Sequence, residues 1–320
     1  MSGAPVDSGR VLVTGGAGFL GSHLVEKLVA RGAQVTVADD LSRGPRENLE
    51  AVAGRVEMVP LDLCRDDLDA FLAGRAFTHI FHLAGHANIG ESVRAPRMDF
   101  ERNGVATFHL LEAVRRVSPQ SRFLQASSAA VYGHGTGGPM REGDPTEPVS
   151  PYGASKLAAE RYVSIYSNLY GVPTAVLRLF PGYGPRQRQQ VIYDFLVKLR
   201  GNGDELAVQG DGSSERDFVY VADVVDAFLL VAERAPLAGE AYNVSGGEPL
   251  SVRELARRVA ATMGLSPRFT FDAEPRPGDA RHWIADTSRI RALGFSPNVS
   301  FEDGLARTVA WFRGLPPGGR

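Results

Sequence analysis

The chain has 320 residues, 43% of them hydrophobic and 22% charged, enough for one large domain or two modest ones around a sizeable core. A formal net charge of −2 excludes a global attraction to nucleic acid or an anionic membrane, so any anionic ligand must be met by local basic residues. The single Cys64 excludes an intramolecular disulfide and a multi-cysteine zinc site, and the seven histidines show no paired metal-ligand spacing, so no metal is expected. The first ten residues, MSGAPVDSGR, lack the basic start and apolar run of a secretory signal. No apolar stretch approaches the roughly 18 residues of a membrane span. The reading is a cytoplasmic protein with no membrane or nucleic-acid partner.

In chain order, apolar residues 11–13 predict a buried strand, followed by glycines and then Leu20, Leu24 and Leu28 at helical spacing, closed by Gly32. Further strands are predicted at "QVTVADD", "RVEMVPLD", "HIFHLAG", "RFLQASS" and "PTAVLRLF". Helices are predicted at "DDLDAFLAG", "GVATFHLLEAVRRV" and "YGASKLAAERYVSIYSNLYG" between them. Strands alternating with helices over about 180 residues predict an α/β fold with a Rossmann-type, doubly wound parallel sheet. Beyond Phe180 the rhythm changes, with Gly and Pro punctuating "PGYGPRQ", "QGDGSSERD", "VSGGEPLS" and "EPRPGDARHW". We therefore expect residues 1–180 to form the dinucleotide-binding domain and residues 181–320 a smaller, interleaved C-terminal lobe. Residues 241–245 are expected to return to the sheet.

Gly15, Gly18 and Gly21 form G-x-x-G-x-x-G between the first strand and the first helix. Glycines there permit a tight turn and let the backbone approach a pyrophosphate seated on the helix N-terminus. Asp39 ends the second strand about twenty residues on, placed to accept hydrogen bonds from the adenine-side ribose. Its carboxylate repels a 2′-phosphate and favours NAD, while Arg43 just beyond it keeps NADP open. Asp62, after the third strand, is placed either to reach the adenine edge or to cap the next helix.

"PYGASK" puts Tyr152 four residues ahead of Lys156, on one helical face. A cation beside a phenol favours the phenolate and lowers a pKa that is about 10 when unperturbed. Spacing alone favours the plainer reading, a helix start with the tyrosine packed and the lysine solvated, and the rest of the chain must decide.

Taken together, the glycine pattern, "SSAAVYG", "PYGASK" and "RDFVYV" resemble the extended short-chain dehydrogenase/reductase family, within it the NAD-dependent nucleotide-sugar epimerases and dehydratases of the UDP-galactose 4-epimerase type. The resemblance covers roughly residues 10 to 314. It implies that Tyr152 is the catalytic base, that Lys156 binds the nicotinamide ribose and lowers the tyrosine pKa, and that Ser128 orients the substrate hydroxyl. It further implies a cofactor running along Gly15, Gly18, Phe19, Leu20, Gly21, Asp39, Ser42, Asp62, Leu63, Ala84, Gly85, His86 and Asn103, with Ser127 against the nicotinamide beside Tyr152 and Lys156. In the second lobe it implies that Arg216 and Arg276 hold the substrate diphosphate, a role open to salt bridging with Asp217 or Asp279 instead. Arg188 is placed to meet a carboxylated sugar or to be an ordinary loop arginine. A homodimer is implied through two helices near residues 99–117 and 152–170.

Within that family, dehydratases carry an acidic pair directly after the Ser/Thr position, where this chain has Ala129 and Ala130. The expectation is therefore a UDP-hexose or UDP-hexuronic acid 4-epimerase, working by transient oxidation at C4 and non-stereospecific hydride return. A keto-sugar reductase or dehydrogenase of the same fold is the alternative. Three departures stand out: Pro181 replaces a substrate-contacting Asn, His86 occupies a position that is often Lys or Gln, and Asn-x-x-Gly-Thr reads Asn103-Gly104-Val105-Ala106-Thr107.

Overall fold

The computed structural model describes residues 6–135, 137–272 and 282–316. Six strands follow in order from the N-terminus: β1 (Arg10–Thr14), β2 (Gln34–Asp39), β3 (Val56–Pro60), β4 (His79–His82), β5 (Arg122–Ser128) and β6 (Thr174–Leu179). With the strand Ala238–Val244 they make a seven-stranded sheet, ordered Ala238–Val244, β6, β5, β4, β1, β2, β3. Every pairing in it is parallel. The late strand joins the sheet at its edge, beside β6.

Both faces of the sheet are covered, which is why its strands are apolar runs rather than alternating ones. Val11 and Val13 of β1 pack toward α1 (Phe19–Ala30) and the helix Val221–Arg234. Leu12, on the opposite face, packs among residues of α2 (Leu68–Leu72), α5 (Ala106–Val117) and α6 (Pro151–Tyr170). The strand order reverses between β1 and β4, and in such sheets ligands bind in the crevice beyond the strand C-termini at that point.

Sequence and structure differ at the shorter pieces. The helix α2 has five residues, because Gly74 ends it at a φ of 74°. Residues 89–105 hold α3 (Ile89–Arg94), α4 (Pro96–Phe100) and a π-helical turn, Glu101–Val105, running straight into α5. By contrast α6 starts and stops where its residues dictate. Ser150 caps it by accepting from the Gly153 amide, Pro151 occupies the first turn, and Gly171 closes it in the left-handed region at φ 68°.

A third apolar cluster joins the helices Gln190–Gly201, Val252–Thr262 and Phe301–Arg313 to the strand Glu205–Val208 through Phe195, Leu206, Leu255 and Phe312. Glu205–Val208 pairs with Arg268–Phe271 in a small parallel sheet outside the main one. Among the described residues no helix is long and apolar enough to cross a membrane.

Candidate active site

The crevice at the reversal point is lined by Gly15, Gly18, Asp39, Ser42, Arg43, Asp62, Leu63, Ala84, Gly85 and Arg102. Three glycines shape it by absence of a side chain. A Cβ on Gly15, whose φ is 68°, would lie 2.6 Å from the Ala84 amide nitrogen, and one on Gly21 would lie 2.1 Å from the Gly15 carbonyl oxygen. One on Gly44 would meet the Ala17 carbonyl carbon at 2.3 Å, so the loop after β2 is docked on the glycine turn. Gly18, the residue preceding α1, offers no side-chain cap, which leaves the first-turn amides of Phe19, Leu20 and Gly21 to an outside acceptor. These features fit a dinucleotide pyrophosphate. A larger cavity of about 430 Å³ lies between Arg10, Thr36, Glu57 and Arg75. It opens at the strands' N-terminal edge, away from the Ser–Tyr–Lys cluster, so we place the chemistry at the C-terminal edge.

Asp39 is buried, and each of its oxygens already accepts a backbone hydrogen bond, from Ala17 at 2.9 Å and from Leu41 at 2.8 Å. Burial raises its pKa, and those two amides oppose the rise. Its first duty is to tie the loop after β2 to the glycine turn; further lone pairs remain for a ribose. Asp62 accepts from the Cys64 amide at 2.9 Å and does not cap α2, whose cap is Asp67 accepting from Ala70.

Ser128, Tyr152 and Lys156 are all buried, and Lys156 lies behind Gly85 of the crevice wall. The Ser128 side chain lies close enough to the Tyr152 phenol to oppose the rise in its pKa. The Lys156 ammonium donates to the Ala126 carbonyl at 3.1 Å, and a Cβ on Gly85 would lie 3.2 Å from its nitrogen. The titration runs opposite to expectation. Burial pushes the Tyr152 phenol up to about 12, with the neighbouring Ser128 opposing the rise and Asp99 adding to it. Burial also brings Lys156 down to about 8, against the pull of Asp99 and Glu160. For both groups desolvation is the largest cause of the shift.

A family profile described as GDP-mannose 4,6 dehydratase matches residues 12–308. The chain belongs to that family, within the extended short-chain dehydrogenase/reductases. It is 39% identical over 311 residues to a UDP-glucose 4-epimerase of Mycolicibacterium smegmatis, covering 95% of this chain and 98% of that relative. The UDP-glucose 4-epimerase of Thermus thermophilus, solved in complex with NAD, superposes with a TM-score of 0.87 at 39% identity, over 95% of this chain and 99% of that one. DesIV from Streptomyces venezuelae, a dTDP-glucose 4,6-dehydratase solved with NAD bound, gives a TM-score of 0.86 at 34% identity, over 95% of this chain and 97% of that one.

In this member of the family three expected cofactor contacts are engaged elsewhere. Ser127 faces α6 and donates to the Glu160 carboxylate, because alternation along β5 turns it away from Ser128. His86 is buried between carboxylates, with Nδ1 2.9 Å from Asp99 Oδ1 and Nε2 3.1 Å from Glu91 Oε2, the latter an ion-pair distance rather than an aligned hydrogen bond. Asn103 does not project into the crevice but fixes its wall, with Oδ1 accepting from the His86 amide at 2.9 Å and Nδ2 donating to the His86 carbonyl at 3.1 Å. Arg216 is buried, its guanidinium 5.1 Å from the centre of the Trp283 ring. Arg188 is exposed on the loop before Gln190–Gly201, and Arg276 with Asp279 lies outside the described residues.

Residue patterns alone missed the polar layer behind the site. Glu160 and Arg178 form a buried pair at 2.8 Å, and Arg178 also donates to the Tyr132 hydroxyl at 2.9 Å. Tyr132 in turn donates to Asn243 at 2.7 Å, linking β6 to the late strand. The available signal was an arginine inside the apolar run "AVLRLF", which needs a buried partner.

Proposed function

We propose that the protein is an NAD-dependent nucleotide-sugar 4-epimerase of the UDP-hexose or UDP-hexuronic acid type. The observation that carries the reading is the pair Ala129 and Ala130. They follow Ser128 directly, are buried, and hold no carboxylate to remove a carbon-bound proton or expel water, as dehydration requires. Bound NAD supplies the acceptor and later the donor of hydride. The chain's own residues handle the proton. The Tyr152 phenolate takes the sugar hydroxyl proton, and Ser128 donates a hydrogen bond to the same oxygen as it becomes a carbonyl. Lys156, fixed by the Ala126 carbonyl, supplies the positive charge that favours the phenolate.

We assign NAD to the crevice of Gly15, Gly18 and Asp39, and the nucleotide diphosphate to the C-terminal lobe from residue 181, with Arg216 as its described guanidinium. The test uses purified protein, UDP-glucose and UDP-galactose, and no added cofactor. Interconversion of the two sugars without net change in NADH absorbance is expected, with NAD released on denaturation. Accumulation of a dehydrated keto-sugar, or stoichiometric NADH consumption, would replace the epimerase reading with a dehydratase or a reductase.

A further inference from the structure

Arg43, four residues beyond Asp39 in the sequence, is a cation that could neutralise a 2′-phosphate, and it lines the same crevice. The structure gives that guanidinium another partner. Its Nη2 donates to Glu91 Oε2 at 2.5 Å. Arg43 follows β2 and Glu91 follows β4, so their contact spans the end of β1, which lies between those strands and carries the glycine turn.

Glu91 is itself held from behind. The same Oε2 lies 3.1 Å from His86 Nε2, and His86 Nδ1 lies 2.9 Å from Asp99 Oδ1. Asp99 is fully buried and fixed by the Ser155 hydroxyl at 2.6 Å. The Asn88 side chain caps α3 by accepting from the Glu91 amide, so the backbone of Glu91 is placed too. An exposed ion pair alone is worth little, but this one ends a chain of contacts that reaches into the interior.

We propose that Glu91 determines dinucleotide specificity, by holding Arg43 away from the 2′ position of the adenine-side ribose. Asp39 repels a 2′-phosphate directly, and Glu91 removes the cation that would otherwise offset that repulsion. Arg43 then discriminates nothing until Glu91 is lost. Arg102, 3.5 Å from the Ser42 hydroxyl on the same rim, stays unchanged throughout the comparison.

The experiment is a competition that does not depend on which reaction the enzyme catalyses. Protein is equilibrated with equimolar NAD and NADP, separated from free ligand, denatured, and its released dinucleotides quantified by chromatography. Glu91→Ala and Glu91→Gln should raise the bound NADP-to-NAD ratio by about tenfold, the scale of one charge-assisted arginine–phosphate contact. Arg43→Met alone should leave the ratio within about twofold of wild type, and Glu91→Ala with Arg43→Met should return it there. An unchanged ratio in both Glu91 variants overturns the proposal. So does a gain that survives removal of Arg43, or an equal Arg43→Met effect with and without Glu91.

Discussion

The chemistry at Tyr152 rests on which group gives up a proton first. Burial holds the phenol near 12 and Lys156 near 8, so the lysine is the earlier donor of the two. Once it has lost its proton, the amine one helical turn from the phenol can exchange a proton with it at unchanged net charge. With values of about 12 and 8 that transfer is uphill by about four pKa units, so the ammonium–phenolate is the minor form through which the base acts. The rising limb of the pH–rate profile should therefore sit near the lysine value, and Lys156→Met should move it upward toward that of the buried phenol. Tyr152→Phe keeps the ring and its packing while removing the proton acceptor. Turnover should fall by about 10²–10⁴-fold, with dinucleotide and nucleotide-sugar affinities retained. Calorimetric titration beside rate measurements checks both halves. A variant keeping more than about a tenth of the activity would remove Tyr152 from the role of base.

Among the elements, β1 to β6 and α6 are legible in the residues because each carries its own local cause. Buried parallel strands read as apolar runs, and α6 has Ser150, Pro151 and Gly171 at its ends. Local cause is missing for α3 and α4, too short to display a helical period, and for His86, whose ring is held by Asp99 from α4. The strand β4 carries a further consequence that the run "HIFH" does not disclose. His82 bridges Thr14 at 2.8 Å and Thr107 at 2.9 Å, and Thr107 donates its own proton to the Asn103 carbonyl. His82 Nε2 must then be the donor to Thr107, and in the neutral ring Nδ1 accepts from the Thr14 hydroxyl. Burial, with Lys156 adding to it, lowers its pKa to about 3, and burial lowers that of His79 to about 4. Below about pH 6.5 the unfolded chain binds protons at both positions while the folded chain does not, so stability falls as pH falls. Each histidine contributes a slope of up to about 1.4 kcal/mol per pH unit. Denaturant titrations between pH 7 and 5 should give a shallower loss for His82→Gln than for wild type. Parallel slopes would mean that His82 is charged in the folded protein.

For the molecule as a whole, the outer faces of α5 and α6 present a problem that one chain does not solve. Tyr162, Ile165 and Leu169 fall on one stripe of α6 at helical spacing, and all three are exposed, Leu169 at 71%. Phe108 of α5 is also exposed and meets Tyr162 edge-on at 5.3 Å, while Tyr170 extends the patch toward Arg115. Scattered exposed apolar residues are ordinary, but a contiguous aromatic and aliphatic patch on two adjacent helices is the mark of an association surface. The inner face of α6 carries Tyr152, Lys156 and Glu160, all buried, so a partner covering the outer face would brace the helix that holds the proposed base without entering the crevice. The arrangement suits a two-fold pair in which each α5–α6 face meets its own copy. Sedimentation velocity at micromolar concentration should give a particle of twice the 34.4 kDa chain mass. Ile165→Glu with Leu169→Glu should dissociate it, since neither side chain is buried in the monomer and like charges would face one another across the two-fold. Circular dichroism should remain that of the folded chain. A wild-type particle of 34.4 kDa at that concentration, or a double variant that remains dimeric, would mean that this patch is not where two copies meet.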